Sequence, residues 1–273
     1  MKIKHEVQDA MDTMGIIKLR KQQIKPINSI LSCDDTLVIA PASSGKSAVF
    51  QIPANVRWKK EQQWTLVIEP TVSLMEDQVR ELLEKGVPAA AMSSHNKAEH
   101  KNILAKLANH QIALLYVTPE RLQSPVFQQA VRYNSPCLVV VDEAHCVLDW
   151  GYTFRPSYLL IKTFIKTLKQ RPVIAAFTAT APPEYHKEIK KCLDMKKPNI
   201  FQGSLARKNI TLLNEDCTGL SFKQRLHHVN YNIKKYRKEG RVIVYCASRK
   251  NVDLVANYLS KKFPGEVVKC HAY

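Results

Sequence analysis

The sequence predicts an α/β fold, a doubly wound parallel sheet, and three observations carry that expectation. First, short runs of β-branched and aliphatic residues alternate with longer stretches whose apolar positions recur at helical spacing. Strands alternating with helices build parallel sheets covered on both faces. Second, Thr36–Ala40 leads into a loop of small residues ending Gly45-Lys46-Ser47. That is the strand–loop–helix context in which backbone N–H groups cradle phosphates. Third, the four apolar residues Leu138–Val141 stop at Asp142-Glu143. In open α/β sheets ligands bind beyond the carboxyl ends of the strands, so two adjacent acids there suit a metal ion and a water.

The length of 273 residues fits one large α/β domain plus part of a second. With 45% hydrophobic residues the chain has material for a core. No run of about 18 apolar residues predicts a membrane span. The N-terminus, Met-Lys-Ile-Lys-His-Glu, carries no apolar signal core. The expected location is therefore cytoplasmic and nucleoid-associated in a bacterium, or nuclear in a eukaryote. Seven scattered cysteines without a Cys-x-x-Cys pair read as reduced structural thiols. The 41 Lys and Arg against 24 Asp and Glu give a formal charge of +17. Such an excess suits a polyanionic partner, nucleic acid before any other, and by itself separates neither RNA nor DNA nor an acidic membrane.

In chain order, Val7, Ala10, Met11 and Met14 predict a first helix broken at Gly15, and Ile24, Ile27, Ile30 and Leu31 a second. Between them Leu-Arg-Lys-Gln-Gln reads as a solvated helix start, with Arg20 and Gln23 placed just ahead of the phosphate-loop candidate. The loop Pro41-Ala42-Ser43-Ser44-Gly45 feeds a helix from about Gly45, where Lys46 would reach phosphates and the Ser47 hydroxyl would bind Mg²⁺. Further strands are expected at Thr65–Glu69, Ala89–Met92, Ile112–Val117, Leu138–Val141 and Val173–Phe177. Helices are expected at Ser73–Lys85, stopped by Gly86, and at Lys97–His110. Ser73, Thr118, Asp142 and Thr178 gather polar groups where strands end, as a ligand face requires. The stretch from Ile200 to Ile210 reads as the crossing to a second unit. That unit would hold strands Ile210–Leu213, Arg241–Cys246 and Glu266–Lys269 and helices Phe222–Tyr236 and Asn251–Lys262.

These motifs, in this order, resemble the RecQ branch of the superfamily 2 DNA helicases. Leu-Arg-Lys-Gln-Gln resembles the adenine-reading motif, and Ala-Pro-Ala-Ser-Ser-Gly-Lys-Ser the phosphate loop. Pro-Thr-Val-Ser-Leu-Met-Glu-Asp-Gln-Val and Leu-Tyr-Val-Thr-Pro-Glu-Arg-Leu resemble motifs Ia and Ib. Asp-Glu-Ala-His-Cys is similar to motif II, and the Trp-Gly-x-x-Phe-Arg-Pro-x-Tyr that follows to the branch's aromatic-rich loop. Thr178-Ala-Thr180 and Val-Ile-Val-Tyr-Cys-Ala-Ser-Arg resemble motifs III and IV. The sequence departs from the family pattern at Ile16, where an aromatic usually stacks on adenine. It departs again at Ala42, Ser43 and Ser44 in the phosphate loop, and at Leu148, Asp149, Tyr152 and Thr153 around the aromatic loop.

The resemblance implies two RecA-like units, an ATP-binding one over residues 1–205 and the start of a second over 206–273. It implies ATP hydrolysis with Mg²⁺, coupled to 3′ to 5′ movement on single-stranded or tailed duplex DNA. Arg20 and Gln23 would contact adenine, and Pro41, Ala42, Ser43, Ser44, Gly45, Lys46 and Ser47 would hold the phosphates. Ser47 and Asp142 would hold Mg²⁺, Glu143 would orient the attacking water, and His145 would link the site to motif III. Ser73, Thr118, Trp150, Phe154 and Arg155 would meet DNA, aromatic and Arg side chains suiting base stacking and phosphate contact. Motifs V and VI, with their arginine finger, do not occur in the 273 residues, nor do the family's zinc and winged-helix regions. This chain is therefore expected not to unwind DNA. Two other readings stay open: an ATP-gated DNA-binding module that does not turn over, and an RNA-dependent Asp-Glu-Ala-His ATPase.

Overall fold

Four-residue strands of wholly apolar or β-branched residues suit the middle of a parallel sheet, where both faces are covered. The computed structural model describes residues 5–41, 44–148, 156–179, 181–203, 210–237 and 240–264. Within them β1 (Thr36–Ile39), β2 (Thr65–Ile68), β3 (Ala89–Met92), β4 (Leu114–Val117), β5 (Leu138–Val141), β6 (Val173–Thr178) and β7 (Asn199–Gln202) form one sheet. Its order is β3-β4-β2-β5-β6-β1-β7, and every pairing is parallel. The doubly wound parallel sheet is thus the fold that the sequence predicted.

Among the described residues eight α-helices accompany the sheet: α1 (His5–Thr13), α2 (Lys21–Leu31), α3 (Lys46–Glu61), α4 (Val72–Glu84), α5 (His100–Ala108), α6 (Pro125–Tyr133), α7 (Leu160–Thr167) and α8 (His186–Cys192). Alternate strand residues sort them into two layers. Val38, Val67, Tyr116, Val140 and Phe177 point to the face holding α1–α4. Ile39, Ile68, Val117, Val141 and Ala176 point to the face holding α5–α8. Gly86 takes φ +72 just beyond α4, and Val87 N–H closes back on Leu82 O at 2.9 Å, which ends the helix where the sequence predicted.

At the amino end of the strands one carboxylate ties the sheet together. Asp35 is 4% exposed. Its oxygens accept hydrogen bonds from Arg171 Nη1 (3.2 Å) and Nη2 (2.6 Å) and from the backbone N–H of Ile174 (2.9 Å) and Lys196 (2.6 Å).

The chain divides into two units, Met1–Arg207 and Lys208–Tyr273. In the second, α9 (Phe222–Tyr236) and α10 (Arg249–Lys262) enclose a small apolar cluster around Val255, Leu259 and Phe263. Ser221 and Ser248 cap these helices by accepting from Gln224 N–H and Asn251 N–H.

Several expectations are corrected. Residues 200–202, read as the start of a crossing, belong to β7, which pairs with β1. The helix expected over Lys97–His110 is a 3₁₀ turn, Lys97–Glu99, followed by α5. The strands expected at Ile210–Leu213 and Arg241–Cys246 are neither strand nor helix among the described residues. Strand geometry needs hydrogen-bonded neighbours, and Leu212 and Tyr245 are instead 90% exposed. The expected strand Glu266–Lys269 lies outside the described residues, as do Ala42, Ser43, Trp150, Phe154, Arg155 and Thr180.

Candidate active site

The carboxyl ends of β1, β5 and β6 bring the loop and the acids to one edge of the sheet. β1 runs out at Ile39, and Ala40 N–H continues the ladder by donating to Thr178 O at 3.0 Å. The chain then turns at Pro41, whose carbonyl accepts from Ser44 N–H at 3.2 Å. Gly45 follows at φ +82, and α3 starts at Lys46. Only glycine is at ease in that conformation. A Cβ on Gly45 would also lie 2.5 Å from Gln23 Nε2. Lys46 and Ser47 are half-buried on the first turn of α3, where the helix presents its unpaired N–H groups. Ser44 Oγ is buried without a hydrogen-bond partner among the described residues. An orphaned hydroxyl at such a place fits a ligand oxygen.

Gln23 is buried on α2, and both ends of its amide are engaged. Oε1 accepts from Arg20 N–H at 2.7 Å, and Nε2 donates to Gly45 O at 2.9 Å. Gln23 therefore fixes the end of the phosphate-loop candidate as well as the start of its own helix. Arg20 is the exposed residue that caps α2.

Asp142 continues β5, its N–H donating to Ile68 O at 3.0 Å, and one carboxylate oxygen accepts from Glu143 N–H at 2.8 Å. Glu143 sits at φ +46, a left-handed conformation that few side-chain-bearing residues adopt. Tyr158 Oη donates to Asp142 O at 2.9 Å and holds the backbone at this turn. His145 Nδ1 lies 3.2 Å from Glu143 Oε2 and 3.0 Å from Thr178 Oγ1. No sequence pattern marks the Tyr158 contact, because its partner is a backbone carbonyl sixteen residues away.

The two acids are tuned in opposite directions. Burial raises Asp142 above the usual carboxylate range, against the pull of Glu143 N–H and the charges of Lys46 and His145. The hydrogen bond from His145 holds Glu143 below that range despite burial, and Lys46 adds to the effect. His145 is pushed up to about 9 by its contact with the Cys146 sulfur, 4.0 Å from Nε2, and by Glu143. The site thus holds an ammonium, an imidazolium and a carboxylate kept ionised beside a buried acid. Such an arrangement can bind phosphate and hold a polarised water.

Among the described residues no group of three His, Cys, Asp or Glu could hold an ion by itself. The Ser47 hydroxyl and the Asp142 carboxylate are oxygen donors that suit Mg²⁺, which keeps several waters and takes phosphate oxygens as ligands. Of the residues expected to meet nucleic acid, Ser73 is exposed on the first turn of α4, and Thr118 is half-buried at the end of β4, capping the turn Pro119–Gln123.

Residues 20–189 match the DEAD/DEAH box helicase family. The chain is 34% identical over 249 residues to the ATP-dependent DNA helicase RecQ of Haemophilus influenzae, covering 91% of this chain and 38% of that protein. It is 35% identical over 249 residues to the RecQ of Bacillus subtilis, covering 90% of this chain and 40% of that one. The crystal structure of the DUF1998 helicase MrfA bound to DNA and AMPPNP superposes with a TM-score of 0.76 at 18% identity, over 97% of this chain and 39% of that one, which is a likeness of fold. The chain therefore spans about two fifths of the length of these relatives. It belongs to the DEAD/DEAH box helicase family and, along nine tenths of its length, is similar to the RecQ helicases within it.

Proposed function

We propose that this chain is the ATP-binding core of a RecQ-like DNA helicase, in which ATP hydrolysis drives movement along single-stranded DNA. The observation that carries the reading is the meeting of Lys46, Asp142, Glu143, His145 and Thr178 at the carboxyl ends of three neighbouring strands, with Lys46 within electrostatic reach of both acids. Residues 1–205 would form the ATP-binding domain, and 206–273 would belong to the second helicase domain. The named relatives are ATP-dependent DNA helicases, and the MrfA structure holds DNA and AMPPNP, which supports ATP and DNA as this chain's ligands.

In this reading the N–H groups at the start of α3, the Lys46 ammonium and the Ser44 hydroxyl receive the phosphates. Ser47 and Asp142 would hold Mg²⁺, which would supply charge neutralisation for the phosphate oxygens. Glu143 stays ionised through His145 and orients the attacking water by accepting a hydrogen bond from it. Thr178, at the end of β6, receives His145 and so senses the same pair. Gln23 acts chiefly on the loop through Gly45, and Arg20 remains the side chain placed to meet the base. Trp150, Phe154 and Arg155 complete the DNA contacts together with Ser73 and Thr118.

The test is Glu143→Gln beside Lys46→Ala. Glu143→Gln should retain binding of Mg-ATP and lose turnover, because the amide keeps the shape and loses the basic charge. Lys46→Ala should lose nucleotide binding itself. Hydrolysis by Glu143→Gln at the parent rate would sink the role of Glu143. Stimulation of the parent ATPase by RNA in place of single-stranded DNA would move the reading to an RNA-dependent ATPase.

A further inference from the structure

Beneath α3 and α4 runs a polar chain that an apolar core does not need. Tyr116 lies on β4 with its ring among the residues that carry α1–α4, and its side chain is fully buried. Its hydroxyl accepts a hydrogen bond from Gln51 Nε2 of α3 at 3.2 Å and donates one to Gln78 Oε1 of α4 at 3.1 Å. Burial pushes the ionisation of this hydroxyl well above the usual tyrosine range, and the charges of Asp142, Glu69 and Glu81 push the same way. The phenol therefore stays protonated and keeps its direction, accepting from α3 and donating to α4.

The placement of the three residues gives the chain its meaning. Gln51 lies four residues after Ser47, one turn along the helix that begins at the phosphate-loop candidate. Gln78 lies five residues after Ser73 on the helix whose first turn is a candidate nucleic-acid contact. Tyr116 stands two residues before Thr118. Apolar contacts between helix and sheet are non-directional and tolerate sliding. Two hydrogen bonds through one buried hydroxyl do not, because displacing either amide leaves a buried polar group unpaired. A shift of α3 on receiving phosphate would thereby pass to β4 and α4 together.

We propose that Tyr116 is a positioning residue that couples nucleotide occupancy of the α3 end to single-stranded DNA affinity at the ends of α4 and β4, acting through its hydroxyl. The proposal rests on the function argued above and deepens it. The test measures DNA affinity by fluorescence anisotropy, with and without a saturating non-hydrolysable ATP analogue and Mg²⁺, for the 273-residue chain and for Tyr116→Phe. The parent should show a ratio of the two affinities of about fivefold or more, and Tyr116→Phe should bring it within about twofold of one, with nucleotide affinity unchanged. Gln78→Leu, at one half-buried end of the chain, should lose the same coupling, and the double variant should lose no more than either single one. Tyr116→Phe or Gln78→Leu with a lowered Tm and the parent's ratio would reduce the chain to a structural feature and overturn the proposal. A parent that binds both ligands with a ratio of one would also overturn it and leave the function standing. A parent that binds neither ligand would remove the function and this proposal together.

Discussion

Leu-Val-Val-Val at 138–141 and Val-Ile-Val-Tyr at 242–245 are alike in composition, and the molecule treats them in opposite ways. The first is β5, paired on both sides by β2 and β6, with all four side chains fully buried. In the second, Val244 turns toward the cluster of α9 and α10, while Ile243 is 75% and Tyr245 90% exposed. The alternation is that of a strand with one face covered. The difference teaches that a β-branched run specifies a surface seeking neighbours rather than a backbone state, and that the neighbours decide. Six parallel pairings supply them in the first unit. In the second unit the described residues supply two capped helices and one small cluster.

The largest expected effect separates the two runs directly. Amides in the central strands should open to exchange only in global unfolding, whereas those of 241–246 should exchange by local opening. For a domain whose stability is about 5–15 kcal/mol, protection of β1, β2 and β5 should exceed that of residues 241–246 by at least about 10³-fold. Hydrogen exchange read by mass spectrometry on the 273-residue chain checks this. Equal protection of residues 138–141 and 241–246 would erase the distinction.

The next effect falls on the first unit alone. Asp35→Ala removes a buried carboxylate that accepts four hydrogen bonds from β6, Arg171 and Lys196. The Arg171 side chain is 30% exposed and can turn to water, so the cost falls mainly on the stranded backbone donors, above all the buried N–H of Ile174, and is about 1–3 kcal/mol. Urea unfolding followed by Trp64, whose ring is buried in the first unit, should show that loss. Exchange in α9 and α10 should be unaltered. Loss of their protection in the same step would mean that the two units unfold as one.

What the sequence made legible follows the same division. The central strands and the phosphate-loop candidate were readable because apolar runs and a loop of small residues signal locally. Strand β7 was not, since only Ile200 and Phe201 are apolar and the strand owes its form to pairing with β1. Helices α6, α7 and α8 are seven to nine residues long, too short for periodicity to stand out from the loops around them. At the site, the type and spacing of Lys46, Asp142 and Glu143 pointed to phosphate chemistry, and the family resemblance added His145. The bonds from Gln23 to Gly45 and from Tyr158 to Asp142 stayed hidden, because a side chain's bond to a distant backbone carbonyl leaves no mark on sequence pattern.

The smallest effect is electrostatic and lies within the first unit, at the Glu143–His145 pair. His145 is raised to about 9, so its contribution to stability is fully present below the ordinary histidine value and fades as the pH rises through about 9. Glu143 is lowered, so its contribution is present above the ordinary glutamate value and is lost as the pH falls through the lowered one. The pair therefore contributes most between these limits, in mildly acidic to neutral solution. Because the Glu143 side chain is 35% exposed, solvent screening should hold the contribution to about 1 kcal/mol or less. The measurement is the Tm difference between the parent and His145→Gln across pH 4–10. It should be greatest near pH 5–6.5, where both groups are ionised, and should shrink through pH 9. NMR titration of the His145 ring should place its midpoint above the ordinary histidine value. A Tm difference that is flat with pH would mean that Thr178, rather than Glu143, holds the imidazole, and the electrostatic link between the acid pair and β6 would fall.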